Sequence, residues 1–262
     1  MRTVWSLFLL ALMSVIEVNA QNEKLPTKEN LWVFMMAGQS NMAGRGVIEP
    51  QDTIVNTRVF TINEAGEIVL AQEPLHFYEP KMAGLDCGMS FATELLAHVP
   101  DSICILMVPT AVGGSSIKRW LDDKPHRGVN LQSNFIKRMN WAKNYGEIKA
   151  VLWHQGESDV NEGGVLSRKD NLSALFEIFR QAAANDNLPI IVGELGSYSK
   201  DPLAWRIMNE ASRQYVASDS NCTIFSTSDL KDKGDKLHFN SAGQRELGKR
   251  FAQEYMNEFK AH

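Results

Sequence analysis

The sequence predicts an α/β fold: a three-layer α/β/α sandwich around a five-stranded parallel sheet. Three observations carry this expectation. Five short apolar runs rich in β-branched residues recur along the chain, and they read as strands buried on both faces. Helical patterns lie between them, and strands alternating with helices imply right-handed crossovers. The 262 residues, 44% apolar and 22% charged, have the balance of an ordinary globular protein, with no internal repeat, low-complexity segment or linker.

Taken in order, the first twenty residues stand apart. MRTVWSLFLLALMSVIEVNA has a positive start at Arg2, an apolar stretch from Val4 to Ile16, and Val18 and Ala20 before Gln21. That layout predicts a cleavable secretory signal cut after Ala20, and the stretch is short for an uncleaved anchor. Residues 21–262 are then expected as a single domain, secreted or periplasmic. The first strand is LWVFMMA (31–37). The segment from about 44 to 88 is less regular, and RVFTINEAGEIVLAQEPLH reads as a β-hairpin followed by loop, an excursion from the sheet. ICILMVP (103–109) and IKAVLWH (148–154) are the next two strands. In NLSALFEIFRQAAA, Leu172, Leu175, Phe176, Phe179, Ala182 and Ala183 share one helical face. PIIVGEL (189–195) and CTIFST (222–227) complete the sheet. The last helix is SAGQRELGKRFAQEYMNEF, where Ser241 and Gln244 match a capping box.

Charge and cysteines exclude several function classes. A net charge of -4 with no Lys/Arg block gives no footprint for nucleic acid. Removing Arg2 and Glu17 with the leader leaves that charge unchanged. Cys87, Cys104 and Cys222 make neither a disulfide framework nor a CxxC pair. Cys104 and Cys222 lie in strand-like runs, where a thiol acts as a small hydrophobe. Asn171 and Asn221 sit in glycosylation sequons, which do not settle the kind of cell. Walker, GxGxxG and HExxH motifs are absent, so nothing calls for a metal or a nucleotide cofactor.

In open α/β sheets, sites form outside the carboxyl ends of the strands. Four unusual segments follow such ends: GQSNMAGRG, TAVGGSSIKRW, QGESDVNEGG and DLKDKGDKLHFNSAG. Ser40 alone is as readily a helix cap as a nucleophile. A nucleophile needs a base, an orienter for that base, and donors for a developing oxyanion. His238 has Asp235 three residues upstream, a spacing that lets the carboxylate reach Nδ1 while Nε2 faces the serine; Asp232 is a rival for the same role. Donors are available from the Ser40 N–H, an N–H at Gly113 or Gly114, and the Gln155 amide, glycine permitting close backbone approach. Glu157 and Asp159 either orient the site, bind substrate, or sit as solvated loop acids. The Gly-x-Ser-x-Gly elbow is absent, since Met42 stands at its second glycine.

Together, GQSNMAGRG, VGGSSIKRW, LWHQGESD and DKLHFNSAG, in this order from residue 38 to 242, resemble the SGNH (GDSL-like) hydrolases. Within them they are similar to carbohydrate esterase family 6, the branch related to sialate O-acetylesterases. The resemblance implies a flavodoxin-like sandwich with Ser40 as nucleophile, His238 as base and Asp235 as its partner. It also implies an oxyanion hole of the Ser40 N–H, a glycine of the Gly113–Gly114 pair, and Gln155. GQSNM replaces GDSL, and Gln155 stands where many members have Asn, as in the carbohydrate-esterase branch. The glutamate of the QGESD block also matters there, so Glu157 is a second acid. The implied activity is a secreted serine esterase, without cofactor, that removes O-acetyl groups from carbohydrates. Arg45, Arg119 and Trp120 lie just beyond these blocks and could line a sugar site, although a Trp packed over a helix end fits equally well. A single domain of this size looks more like acetylxylan esterases than the larger sialate enzymes, so acetylated xylan or a related plant polysaccharide is the expected substrate. The alternatives are a sialate O-acetylesterase, a non-catalytic carbohydrate-binding protein on the same fold, and an esterase of acyl lipids.

Overall fold

Alternation along β1 (Leu31–Gly38) sets the plan of the molecule. Leu31, Val33, Met35 and Ala37 enter one apolar cluster, and Phe34 and Met36 enter another. Successive side chains of a strand point to opposite faces, so β1 must be covered on both. The computed structural model describes residues 25–161 and 163–259. The expected signal at 1–20 lies outside them. Among the described residues no helix is long and apolar enough to cross a membrane.

One face is covered by α1 (Gly88–Leu96) and α7 (Ser241–Glu258), which contribute Phe91, Leu95, Leu247 and Phe251. The opposite face is covered by α2 (Ile117–Asp122), α3 (Leu131–Ala142) and α5 (Arg168–Ala183). Phe135, Phe176 and Phe179 come from those helices, and the predicted apolar face of α5 is the one that packs. The expected three layers are therefore present.

The strand count differs from the expected five. The sheet has seven strands in the order β3-β2-β4-β1-β5-β6-β7. β4 (Cys104–Pro109), β5 (Glu147–His154), β6 (Ile190–Gly193) and β7 (Cys222–Phe225) are parallel to β1. The two further strands are the hairpin of β2 (Val59–Ile62) and β3 (Ile68–Leu70). The hairpin forms as the pattern predicts, but it is no excursion. β2 pairs in parallel with β4, Phe60 opposite Leu106, and all four of its residues are buried. Burial on that edge is what recruits it, and β3 then closes the edge as a half-exposed antiparallel strand.

The start of α7 also differs. Asn240, not Ser241, is the N-cap, its side chain accepting the Gly243 N–H. Ser241 Oγ instead donates to the Val47 carbonyl, and Gln244 Nε2 donates to the Asn41 carbonyl. Asn fills a cap as well as Ser, which frees both residues to tie α7 to the segment after β1. From β1 the chain crosses to β2 and β4, then back to β5. The carboxyl ends of β1, β4 and β5 therefore meet where the winding reverses, the place where an open α/β sheet forms a crevice.

Candidate active site

β1 ends on Gly38, with φ +139°, and a Cβ there would lie 2.1 Å from the His154 carbonyl oxygen of β5. Only glycine lets the two strand ends approach so closely. The next residues make one turn, closed by the Ala43 N–H on the Gln39 carbonyl at 2.8 Å, and no helix follows. Ser40 is therefore not at a helix start, contrary to the helix-cap reading. It is nearly buried, and its Oγ lies 3.0 Å from His238 Nε2. On the other side of the ring, Nδ1 is 2.7 Å from Asp235 Oδ2. Asp235 Oδ1 accepts the N–H groups of Leu237 and His238 at 2.9 and 2.8 Å. Partial burial raises the Asp235 carboxyl, but the His238 N–H, the His238 ring and the Leu237 N–H outweigh it and hold the group below the usual carboxylate range. Asp232 makes no hydrogen bond to His238; its carboxylate accepts the Gly234 and Lys236 N–H groups and shapes the turn.

The His238 ring is held against the serine by a residue that the sequence did not single out. Asn41 Nδ2 donates to the Leu237 carbonyl at 3.1 Å, and Asn41 Oδ1 accepts the Phe239 N–H at 3.0 Å. One side chain next to Ser40 thus grips the backbone on both sides of His238. Glu157, at the start of α4 (Glu157–Asn161), is buried and accepts the other Asn41 Nδ2–H at 2.6 Å. Glu157 thus supports Asn41, the residue that grips the backbone around His238. His154 lies behind it with Nε2 3.0 Å from the Glu194 carbonyl, and burial lowers its basicity.

Two glycines follow β4, and they differ. The Gly113 N–H donates to Glu79 Oε2 at 2.6 Å. Gly114, at φ +71°, has an N–H without a partner among the described residues, as does Ser40. A cleft of about 240 Å³ is lined by Ser40, His238, both glycines, Gln39 and Glu157, with Arg45 and Arg127 at its side. Glu79 joins that side together: it pairs with Arg45 Nη2 at 2.6 Å and with Arg127 Nη1, besides taking the Gly113 N–H. Burial raises the Glu79 carboxyl, but the Gly113 N–H and the two arginines prevail and keep it below the usual range. Among the described residues no cluster of three His, Cys, Asp or Glu side chains is arranged to hold a metal ion.

Three expected site residues lie elsewhere. Gln155 is buried, does not line the cleft, and its Nε2 faces three acceptors: Gln39 Oε1 (3.3 Å), the Ser115 carbonyl (3.1 Å) and Asp159 Oδ1 (3.0 Å). An amide has two N–H bonds, so this one is fully occupied away from the serine. Its Oε1 accepts from Arg168, which also pairs with Asp159 at 2.8 Å, and Asp159 takes the first N–H of α2. Asp159 is thus a buried structural acid, not a solvated one. Trp120 is fully buried among Trp153, Phe135 and Phe179, with its indole N–H on Ser115 Oγ; it packs the core and presents no face to a sugar. Arg119 is on the exposed side of α2 and does not line the cleft. Arg45 does line it. Arg127 and Glu79 went unread because their segments carry no strand or helix pattern, and only the folded chain brings them beside Gly113.

An α/β sandwich with a serine, a histidine and an aspartate linked at its carboxyl edge has the architecture of an ester hydrolase. A family model for carbohydrate esterases, described as sialic acid-specific acetylesterase, matches residues 30–257. The chain belongs to this family and is a carboxylic ester hydrolase of the SGNH, sialate O-acetylesterase-like kind. It is similar to a probable carbohydrate esterase of Arabidopsis thaliana, 32% identical over an alignment of 249 residues that covers 87% of this chain and 91% of that one. A solved X-ray structure of an Arabidopsis thaliana protein superposes with a TM-score of 0.77 at 31% identity, covering 89% of this chain and all of that one. A carbohydrate acetylesterase from Xanthomonas citri shares the fold, with a TM-score of 0.67 at 19% identity over 89% of this chain and 57% of that one.

Proposed function

We propose that the protein removes O-acetyl groups from a carbohydrate through an acetyl-serine intermediate on Ser40. The observation that carries this reading is the hydrogen-bonded chain Ser40–His238–Asp235, whose serine and histidine line the cleft. Ser40 Oγ attacks the acetyl carbonyl while His238 Nε2 takes its proton. Asp235 holds the ring tautomer and stabilises the imidazolium as it forms. The carbonyl oxygen becomes an oxyanion facing the unpartnered Ser40 and Gly114 N–H groups. Collapse breaks the bond to the sugar oxygen, which leaves with the proton from His238. Water, activated by the same histidine, then releases acetate and restores Ser40.

A cleft of about 240 Å³ is smaller than the range typical of drug-sized ligands and suits an acetyl group with part of one sugar ring. Acetylated xylan or a related plant polysaccharide is the first substrate, supported by the near-complete coverage of a carbohydrate-esterase relative of the same size. An O-acetylated sialic acid is the second, supported by the family's description and by Arg45 and Arg127 at the cleft, which suit an acidic sugar. The proposed setting is outside the cytoplasm, which the amino-terminal signal pattern supports. Acetate release from acetylated xylan and from O-acetylated sialic acid, measured side by side, separates the two. Faster release from xylan is the expected outcome; release from sialic acid alone keeps the chemistry and changes the substrate.

A further inference from the structure

The cleft takes an acetyl group with part of one sugar ring, so the rest of a polysaccharide must lie beyond it. Arg127 forms one side of the cleft and is also a wall of a second pocket of about 530 Å³, more than twice the volume of the first. The second pocket is lined by the turn joining β2 to β3, by residues of the segments 77–80 and 127–130, and by α3. The Tyr78 hydroxyl donates to the Pro109 carbonyl at the end of β4 at 3.2 Å and accepts Asn134 Nδ2 of α3 at 2.9 Å. This ties the aromatic wall to the sheet edge that carries the serine. Phe77 is half-buried, and the Arg138 guanidinium carbon lies 5.6 Å from the centre of its ring. Arg138 Nε is buried and has no acceptor among the described residues, so the guanidinium keeps unused hydrogen-bonding capacity. Lys137 beside it is exposed, and among the described residues neither has an ion-pair partner. Arg127, Lys137 and Arg138 thus face one carboxylate in this lining, Glu64, in a chain whose net charge is -4. A neutral sugar gives such a concentration of positive charge nothing to pair with. A carboxylate does, and a guanidinium binds one through a fork of two N–H bonds.

We propose that this pocket is a subsite for a uronic-acid residue of the polysaccharide, next to the sugar whose acetyl group enters the cleft. Arg138 takes the carboxylate through its guanidinium, Lys137 adds charge from the rim, and Phe77 and Tyr78 border the sugar ring. Arg127, held by Glu79, separates the two sites, and a Cβ at Gly114 would lie 3.2 Å from its Nη2. The subsite therefore adjoins the reacting carbonyl without touching it. Its contacts are the same in the bound substrate and in the transition state, so they act on KM more than on kcat. This inference rests on the carbohydrate-esterase reading of the cleft and narrows its substrate to an acidic acetylated polysaccharide.

The test measures acetate release from acetylated xylan oligosaccharides that bear a uronic acid, and from the same oligosaccharides after the carboxyl is reduced to an alcohol. The unaltered protein is compared with Arg138→Gln and Lys137→Gln, each checked for folding by its thermal transition. Lys137 is exposed, so its replacement leaves the core untouched. The unaltered protein should favour the charged form about tenfold in kcat/KM, the worth of one hydrogen-bonded pair to a charged group, chiefly through KM. Added salt should erode that preference. Arg138→Gln should abolish it, and Lys137→Gln should lower it about two- to fivefold. Calorimetric binding of the deacetylated acidic oligosaccharide, which needs no turnover, should weaken in the same order. Equal kcat/KM on the two forms in the unaltered protein, or a preference and binding that both variants leave intact, overturns the proposal. A loss in Arg138→Gln confined to O-acetylated sialic acid also overturns it, because the carboxylate then belongs to the acetylated sugar itself. Binding that depends on Arg138, with no acetate release that Ser40→Ala abolishes, upholds the carboxylate subsite and defeats the reading of the cleft beneath it.

Discussion

Asn41 joins the segment after β1 to the loop before α7, two parts of the chain almost two hundred residues apart. Its two bonds to the backbone around His238 set the 3.0 Å separation of Nε2 from Ser40 Oγ. Misplacement of a reacting group by about 1 Å can cost on the order of 10²-fold in rate. Asn41→Ala is therefore expected to lower kcat by about that factor while KM and the thermal transition shift far less, as steady-state kinetics and calorimetry would show. A variant with unchanged kcat would assign the positioning of His238 to Asp235 alone. Glu157→Gln keeps a hydrogen-bond acceptor for Asn41 and should retain more activity than Glu157→Ala, whereas a direct proton-transfer role would leave both variants equally impaired. At this scale the Ser40, Asp235 and His238 grouping was legible in the sequence, because a three-residue spacing within one turn constrains geometry locally. The Gln155 direction was not legible. Whether an amide faces a cleft depends on Arg168 and Asp159, whose burial no spacing reveals.

At the scale of elements, α2 and its neighbours show why a tryptophan near the site proved to be core. Trp120 contacts Trp153, Phe135 and Phe179, and its indole N–H reaches Ser115 Oγ, which lies 3.1 Å from the Gly38 carbonyl at the end of β1. Trp120→Ala should cost about 3–5 kcal/mol of stability, as expected for emptying a large aromatic from a packed core. Trp120→Phe should lower the thermal transition less and leave KM for the sugar ester nearly unchanged; a large rise in KM would return Trp120 to a substrate role. The Arg180–Asp219 pair ties the end of α5 to the turn before β7, at 2.8 and 3.0 Å. Burial raises the Asp219 carboxyl, but bonds from Arg180, Tyr215 and Cys222 prevail and bring it down from 3.8 to about 2. A folded-state value below the unfolded one means that this stabilisation is complete above about pH 4 and is lost as pH falls toward 2. Asp219→Asn should accordingly narrow the stability difference from the parent between those pH values, as acid-titrated denaturation would report. A difference that stayed constant down to pH 2 would contradict the assignment. The five parallel strands were legible because burial on both faces leaves continuous apolar runs. β2 and β3 read correctly as a hairpin, but a four-residue strand carries no signal of which edge it joins.

For the whole molecule, the winding order brings the carboxyl ends of β1, β4 and β5 together, and the loop before α7 closes over them through Asn41, Gln244 and Ser241. Every group of the proposed chemistry except Asp235 and His238 sits at the end of one of these strands. The net charge of -4 is spread over a fold whose cleft carries two arginines neutralised in part by Glu79. That local balance suits a neutral or acidic sugar better than a polycation. The most direct test of the account is the rate of acetate release from an acetylated carbohydrate by the folded protein and by Ser40→Ala under the same conditions. A fall of about 10³-fold or more in the variant, with its thermal transition retained, is the predicted result. A folded Ser40→Ala protein that releases acetate at near the parental rate would contradict it.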